Sequence, residues 1–470
     1  MIAIVTARPL RAIFLLALLL RLAYGLGLYA AMGVDGLMLE DSPDFLSAGR
    51  MLLDHGALVQ ETNEGLRLET RYMPLYPAFV ALFLWLGGGP LGVVLGQALI
   101  DSLTCLLIAR IAARLDAGLA LPAGLIAAVN PTQIVMAGLV LTDTLFLMCG
   151  ALALLAAIEW LRRPDWRWAV VLGVALGLGL FTRAMLLPWV FALPVMLAAG
   201  AAWRRRLGLA AIAQLAAALA LCLAIQAPVV ARNHAHFDTI ALTSQGGVHV
   251  MLWLAPLTME AKTGIAHAEA AARINQRYRA AVDAEIDAEP FRQSRAMAAL
   301  GFQVIGEMGV AALAKAHAIG AAINLAAPAA VLSPPLRQLP RTGFYATPGA
   351  TKLEKISAFL FHNDNRLYGW VLLLGVAGVA LCRLIQLRGL ARALRAGPET
   401  RLAVLLLLLW IGFILAVNGP IASAKYRLPA EPAFAVLLAL GLARRRNQAN
   451  GNVGGWAVKS ANGDRRELGP

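Results

Sequence analysis

Charged residues are scarce in this sequence. Asp, Glu, Lys and Arg make up 14% of the 470 residues, whereas hydrophobic residues make up 60% and the mean hydropathy is +0.69. Because a soluble domain has about 25% charged residues, this composition excludes a water-soluble fold. The net charge of +14 would be typical of a nucleic-acid-binding protein, but no polar domain is long enough to form a binding groove. We therefore expect no nucleic-acid partner.

Cysteine is also rare, and its positions argue against two kinds of site. All four cysteines lie inside apolar segments, and none shows the CxxC spacing of a metal or redox motif. Neither a disulfide framework nor a zinc site is indicated. The four are Cys105, Cys149, Cys222 and Cys382.

Long apolar segments separated by short Arg-rich loops dominate the sequence. A membrane-spanning helix needs about 20 mostly apolar residues, and Arg-rich loops mark the cytoplasmic side. The first segment, residues 13–29, has no small-residue cleavage site, so we interpret it as a retained membrane helix. Placing the Arg-rich loops inside predicts an all-α integral membrane protein with about ten transmembrane helices. They lie near residues 10–31, 91–112, 119–138, 143–161, 166–182, 184–202, 207–229, 367–386, 401–419 and 426–443.

Two further apolar stretches are better interpreted as helices at the outer surface. Residues 74–88 are short for a span and are flanked by prolines and glycines, and a crossing here would reverse every later loop. Residues 298–327 carry Glu307, Lys315 and His317 at helical intervals, which is typical of an amphipathic surface helix.

This topology divides the chain into four parts and places both chain ends in the cytoplasm. All seven histidines and most acidic residues fall in the two outer segments, so we expect the chemistry there. We predict a multi-pass protein of a bacterial inner (plasma) membrane, with its site facing the periplasm or the cell exterior. The parts are an N-terminal bundle (1–230) with the first outer loop (32–90), an outer region with amphipathic helices (231–366), C-terminal membrane helices (367–446) and a disordered cytoplasmic tail (447–470).

Three acidic residues are candidates for catalysis. Asp41 and Asp44 follow the first membrane helix, where a partly desolvated carboxylate can act as a base. Asp143 lies at the outer end of the fourth helix, and a carboxylate at membrane depth is costly unless it has a partner or a task. Helix capping is an equally good interpretation of these positions.

Five cations on the outer side break the positive-inside trend. Arg183 is the most informative, because it interrupts two apolar runs. Cations at the outer membrane edge suit an anionic head group, phosphate above all, although single residues of this kind also contact lipid phosphates without a specific ligand. The candidate substrate-binding residues are Arg71, Arg183, Arg232, its neighbour Asn233, Lys425 and Arg427.

These residues lie in segments that resemble the polytopic GT-C glycosyltransferases of the protein-mannosyltransferase and aminoarabinose-transferase type, which use polyprenyl-phosphate sugars. The segments are spread from about residue 10 to residue 443, in the family's order. They are DSPDFLSAGRMLLDHG, RYMPLYPAFVALF, NPTQIVMAGLVLTDTLFL, GLGLFTRAMLLPW, APVVARNHAHFDTIALTSQGGVHVMLWLAP and AKYRLPAEPAF.

The resemblance implies an inverting glycosyltransferase. Asp41 would be the catalytic base and Asp143 the second acid, although the family more often has Glu than Asp at this second position. Arg183, Arg232 and the pair Lys425 and Arg427 would contact the donor phosphate. The family has members with and without a metal requirement, and with two separated acids we predict neither a metal nor a cofactor. The expected partners are a polyprenyl-phosphate sugar donor, membrane lipids and an acceptor that is a lipid, a glycan or a protein.

Two other classes of function stay open at this point. A transporter or lipid flippase would predict inverted repeats and polar residues near the bilayer midplane, whereas the polar residues here gather at one face. A lipid-linked polysaccharide polymerase or ligase shares the outer loops and the lipid-linked substrate, so only its donor would distinguish it.

Overall fold

The computed structural model describes residues 7–63, 65–340, 352–362 and 366–443, and most of these residues are helical. Within these ranges seven helices are long and apolar enough to cross a membrane, or nine if two bent helix pairs each count as one span. The predicted all-α, multi-pass membrane fold is therefore confirmed. The predicted tail at 447–470 lies outside the described residues.

An outer loop with its own secondary structure follows the first membrane helix. A short 3₁₀ helix (Gly33–Leu37) comes first, and the first α-helix of this loop begins directly after Asp41 and ends at His55. Gly56 follows it with a left-handed φ of 66°, which suits glycine. The predicted outer helix at 74–88 is a helix of 11 residues, too few to cross a membrane. The elements are α1 (Ala7–Met32), α2 (Ser42–His55), the antiparallel strands β1 (Val59–Thr62) and β2 (Gly65–Leu68), α3 (Leu75–Trp85) and α4 (Gly89–Leu115).

The central bundle contains a broken helix. The single helix predicted near 119–138 is two helices that bend by 51°. Pro131 has no N–H for the helical ladder, and the side chain of Asn130 caps the second helix by accepting a hydrogen bond from Thr132 N. The six helices are α5 (Ala120–Ala128), α6 (Pro131–Ala137), α7 (Asp143–Arg162), α8 (Trp166–Thr182), α9 (Leu187–Trp203) and α10 (Leu209–Phe237).

A buried ion pair stabilises the chain where the helix is broken between α5 and α6. Nε of Arg21, on α1, lies 2.5 Å from Oδ2 of Asp101, on α4, and both side chains are shielded from solvent. The guanidinium of Arg21 also donates to the carbonyls of Ala127 and Ala128. These carbonyls belong to the last residues of α5, where the break interrupts the helical hydrogen bonds. The carbonyl of Ala127 also accepts a hydrogen bond of 3.3 Å from Asn130 N, whereas Arg21 is the donor to Ala128 within the described residues. The pair thus meets the hydrogen-bonding requirement that a membrane interior imposes on backbone groups.

The outer region has a small apolar core of its own, which includes Met251, Ile274 and Val304. The single surface helix predicted at 298–327 is two helices that bend by 103°. The bend lies at Gly309, whose φ of 88° is a conformation that glycine adopts readily. The helices of this region are α11 (Gln245–His249), a π-helical turn (Val250–Leu254), α12 (Ala255–Thr263), α13 (His267–Ala281), α14 (Ala284–Ala288), α15 (Pro290–Met308), α16 (Val310–Ala326), α17 (Pro334–Arg337) and α18 (Lys352–Phe361).

The C-terminal membrane helices complete the bundle. The span predicted at 426–443 begins as a 3₁₀-helical segment and continues as a short α-helix. The elements are α19 (Arg366–Leu394), α20 (Pro398–Asn418), the 3₁₀ segment (Ala424–Ala430) and α21 (Glu431–Leu442).

The predicted cytoplasmic loops meet at one end of the bundle. Arg204 forms an ion pair with Glu399, and Arg162 donates to the carbonyl of Arg114. Asp143 begins α7 and Arg162 ends it, and a helix of 20 residues is about 30 Å long. The acidic candidate and the basic loops therefore lie at opposite ends, as the positive-inside prediction requires.

Candidate active site

Asp41 and Lys425 form an ion pair between the first outer loop and the 3₁₀ segment. Nζ of Lys425 lies 3.3 Å from Oδ2 of Asp41. Asp41 occupies the position before α2, but its side chain makes no capping hydrogen bond. The carboxylate is 52% exposed and the Lys425 side chain only 10%. The acid therefore faces solvent, and the ammonium group contacts it from the protein interior.

Asp143 and Arg183 form a second ion pair. Asp143 lies in the first turn of α7, where the helix dipole favours a negative charge. Its Oδ1 accepts a hydrogen bond of 2.7 Å from Nη1 of Arg183, and the exposed fractions are 3% for Asp143 and 22% for Arg183. The guanidinium also lies over the ring of Phe146. Within the described ranges, Nε and Nη2 of Arg183 make no hydrogen bond to protein, so these donors are available to a ligand.

The charges of the two ion pairs interact, because Lys425 is affected by Asp143 and Arg183 as well as by Asp41. Burial alone would lower the pKa of Lys425, but Asp143, Tyr426 and Asp41 raise it overall, against a smaller opposing effect of Arg183. Lys425 is therefore protonated at neutral pH. We refer to Asp41, Asp143, Arg183 and Lys425 as the acid–cation cluster. Its four members come from four separate segments of the chain.

His249 lies beside this cluster. It ends α11 and directly precedes the π-helical turn. Burial lowers the pKa of its imidazole from the ordinary 6.5, and the positive charge of Arg183 lowers the pKa further. The ring is therefore neutral at pH 7, when it has one hydrogen-bond donor and one acceptor.

A second polar group occupies the first outer loop. Nη2 of Arg71 lies 2.9 Å from Oε2 of Glu69, which is nearly buried. The hydroxyl of Tyr72 donates to Asp44 at 2.8 Å, and burial together with this bond raises the pKa of the phenol. Arg232, near the end of α10, donates a hydrogen bond of 2.9 Å to Oδ1 of Asn233 and lies close enough to Glu69 for their charges to attract. The candidates Asp44, Arg71 and Arg232 thus belong to this group, whereas Asp41 belongs to the acid–cation cluster.

Arg427 and Asn233 direct their polar atoms into the protein. Nε of Arg427 donates to Glu431 at 2.9 Å, Nη2 donates to Thr132 at 3.1 Å, and Nη1 donates to backbone carbonyls. Asn233 is fully buried and donates to the carbonyl of Ala241 at 2.7 Å. These bonds stabilise the fold, so a role in substrate binding stays a prediction for both residues.

Several residues that contact or surround the candidate residues are not predicted from the sequence. Glu431 had a signal, because it lies four residues after Arg427, the spacing of a helical ion pair. Glu69 is one of several charged residues in the first outer loop, and its sequence position does not distinguish it from the others. Nothing in the sequence marks His249 or Tyr426, because their contribution depends on how distant segments pack.

The acids of the site are paired with cations and not with each other. Asp41 contacts Lys425, and Asp143 contacts Arg183. In the part of the chain that the structure describes, no group of three or more His, Cys, Asp or Glu side chains is close enough to hold a metal ion.

Comparison with known proteins gives a family match. Residues 72–231 match the family described as dolichyl-phosphate-mannose-protein mannosyltransferase. The matched segment contains Asp143 and Arg183, whereas Asp41 and Lys425 lie outside it. Over these residues the resemblance to the GT-C glycosyltransferases is thereby confirmed. No curated protein sequence matches the chain.

The solved structures that are similar to the chain include two of one protein. Both are crystal structures of ArnT from Cupriavidus metallidurans, one bound to undecaprenyl phosphate and one in the apo state. The first is 18% identical, with a TM-score of 0.36, and the match covers 93% of this chain and 77% of that chain. The second is 16% identical, with a TM-score of 0.34, and covers 88% of this chain and 75% of that chain.

Proposed function

Because residues 72–231 match a glycosyltransferase family, we propose that the protein is an inverting glycosyltransferase. It moves a sugar from a polyprenyl-phosphate donor to an acceptor hydroxyl on the outer face of the membrane. The observation that carries this proposal is the acid–cation cluster, which combines a solvent-facing carboxylate with two cations at the end of the bundle opposite the Arg-rich loops.

Asp41 is the residue best placed to act as the general base. Its carboxylate is half exposed, so an acceptor hydroxyl can approach it from solvent. In the reaction, the hydroxyl proton passes to Asp41 as the oxygen attacks the anomeric carbon. The bond from that carbon to the phosphate oxygen breaks, and the polyprenyl phosphate leaves with the bonding electrons. A single displacement of this kind inverts the anomeric centre.

Arg183 and Lys425 are the residues best placed to stabilise the departing phosphate. Arg183 uses one guanidinium nitrogen for Asp143 and keeps two for a ligand, and Lys425 is held protonated by its surroundings. Charge-assisted hydrogen bonds from preorganised cations stabilise charge that develops in the transition state. Arg427 is less suited, because all its nitrogens already donate to protein acceptors.

Asp143 has a positioning role in this scheme. It fixes Nη1 of Arg183 at 2.7 Å, and its buried place at the N-terminus of α7 keeps the carboxylate in one orientation. The neutral imidazole of His249 adds a hydrogen-bonding group beside Arg183. We assign Asp44, Arg71 and Arg232 to the rim of the site, where they would contact the acceptor or the sugar.

The donor assay tests this proposal against its alternatives. The purified protein in lipid nanodiscs is given a polyprenyl-monophosphate sugar or a polyprenyl-diphosphate oligosaccharide, each with an extract of envelope acceptors, and product anomers are determined by NMR. We expect consumption of the monophosphate donor with inversion. Use of the diphosphate donor alone would identify a polymerase or ligase instead. Movement of an intact lipid-linked sugar across the bilayer without transfer would identify a flippase.

A further inference from the structure

A cavity of about 430 Å³ lies between the broken helix α5–α6 and the C-terminal helices α19 and α21. This volume falls in the range of about 300–1,000 Å³ that is typical of small-molecule sites. Most of its wall is apolar and comes from side chains such as Ile126, Val379 and Leu438. None of the four members of the acid–cation cluster lines it. The cavity is therefore separate from the candidate active site.

The polar part of the wall carries excess positive charge. Arg383 and Arg427 both line the cavity, with Glu431 as the lining carboxylate. Glu431 is the ion-pair partner of Arg427 at 2.9 Å. Within the described residues Arg383 has no carboxylate partner: its Nε donates to the carbonyl of Leu325, its Nη1 donates to Gln386, and its Nη2 makes no hydrogen bond. An anionic group in the cavity would supply the missing acceptor.

The cavity also lies next to the bilayer. Helix α19 forms one wall, and its opposite face presents Leu374, Leu381 and Leu384, which are 66%, 59% and 65% exposed. Exposed leucines on a membrane helix face lipid. Val129, which lines the cavity, is 52% exposed, so the cavity opens at the surface of the bundle and a membrane lipid can enter it. The acyl chains of such a lipid match the apolar lining.

We propose that this cavity binds an anionic phospholipid of the surrounding membrane, with its phosphate at Arg383 and an acyl chain along the apolar wall. The polyprenyl donor is the less suitable occupant, because its phosphate belongs at Arg183 and Lys425. The bound lipid would also support the 3₁₀ segment, since Arg427 in the cavity wall is two residues after Lys425. The preference for a phospholipid over the polyprenyl donor rests on the proposed function, whereas the binding of an anionic lipid in the cavity does not.

Cys382 gives a direct readout, because this residue lines the cavity. A variant with Cys105, Cys149 and Cys222 replaced by Ala is purified, stripped of lipid with detergent and labelled at Cys382 with a maleimide. We expect phosphatidylglycerol to slow labelling much more than phosphatidylcholine with the same chains. Arg383→Gln should weaken protection by phosphatidylglycerol roughly tenfold, as expected for one charge-assisted hydrogen bond, and should leave phosphatidylcholine unaffected.

A second pair of variants tests the cavity itself without relying on charge. A Cβ placed at Gly378, which lines the cavity, meets no atom within 4 Å, so we expect Gly378→Phe to place its ring in the cavity and to reduce the space for a lipid. We expect it to reduce the phosphatidylglycerol that co-purifies with the protein, measured by mass spectrometry. Leu381→Phe, on the lipid-facing side of α19, is the matched control and should retain the lipid. Equal protection by both phospholipids, stronger protection by polyprenyl phosphate, or unchanged lipid in Gly378→Phe would each overturn the proposal.

Discussion

The ion pair between Asp143 and Arg183 predicts unequal effects for its two partners. Asp143 is 3% exposed and Arg183 is 22% exposed. Removing one partner of a buried pair costs about 3–5 kcal/mol, because the other charge is left uncompensated. Arg183→Gln leaves the buried carboxylate of Asp143 without its partner, although the dipole of α7 still stabilises the negative charge. We therefore expect a loss of stability at the lower end of this range, about 3 kcal/mol. Asp143→Asn leaves the guanidinium of Arg183 unpaired, but this group can contact water, so we expect a loss of stability of about 1–2 kcal/mol.

The same two variants should separate stability from donor use. Asp143→Asn keeps the guanidinium charge for the phosphate, whereas Arg183→Gln removes it. Loss of a charge-assisted phosphate contact costs about 2–5 kcal/mol, which lowers kcat/KM roughly 30- to 5,000-fold. We therefore expect Arg183→Gln to have the larger effect on turnover as well as on stability.

The assays are reversible unfolding in mixed micelles and single-turnover transfer from a polyprenyl-phosphate sugar. The double variant should be less destabilised than the sum of the two single variants by about 1 kcal/mol or more, because the partners interact directly. Additive losses, or a larger loss for Asp143→Asn than for Arg183→Gln, would refute the account of this pair.

Three further predictions concern the surroundings of the site. Asp44→Asn should change turnover less than about threefold, since the amide oxygen can still accept the hydrogen bond from Tyr72, and steady-state kinetics measures this. Arg205→Cys should resist a membrane-impermeant maleimide in intact cells while Glu61→Cys reacts, and labelling at 205 from outside would contradict the topology. The lowered pKa of His249 means that the unfolded state binds more protons below pH 6.5, so stability falls as the pH drops from 7 to 5. His249→Gln should reduce this fall in the free energy of unfolding, and an unchanged fall would show that His249 is not its source.

Most of the membrane helices could be predicted because each one needs a long apolar run. The predicted helices differ from the structure where a helix-breaking residue lies inside an apolar run. Pro131 breaks the predicted helix 119–138, although the apolar pattern continues across it, and Gly309 bends the predicted helix 298–327. The buried pair of Arg21 and Asp101 also had a signal, since charges inside membrane segments need partners.

The candidate site could be predicted only in part, because sequence does not show where a side chain points. Lys425 and Arg427 were both predicted to contact the phosphate, yet one faces Asp41 and the other is bonded to Glu431 and the neighbouring helices. In a 3₁₀ helix, residues two apart point in different directions. The meeting of Asp41 with Lys425 required tertiary packing that no local pattern encodes.

The most direct test of the proposed reaction is transfer by Asp41→Asn. The amide keeps the size of the side chain and cannot accept the hydroxyl proton, and loss of a general base typically costs about a hundred- to ten-thousand-fold in rate. With a polyprenyl-phosphate sugar and saturating acceptor, we expect a loss of that size in Asp41→Asn, near-normal donor binding, and a much smaller loss in Asp44→Asn. Near-normal transfer by stably inserted Asp41→Asn protein would contradict the assignment of Asp41 as the base, and a larger loss in Asp44→Asn would move that role to Asp44.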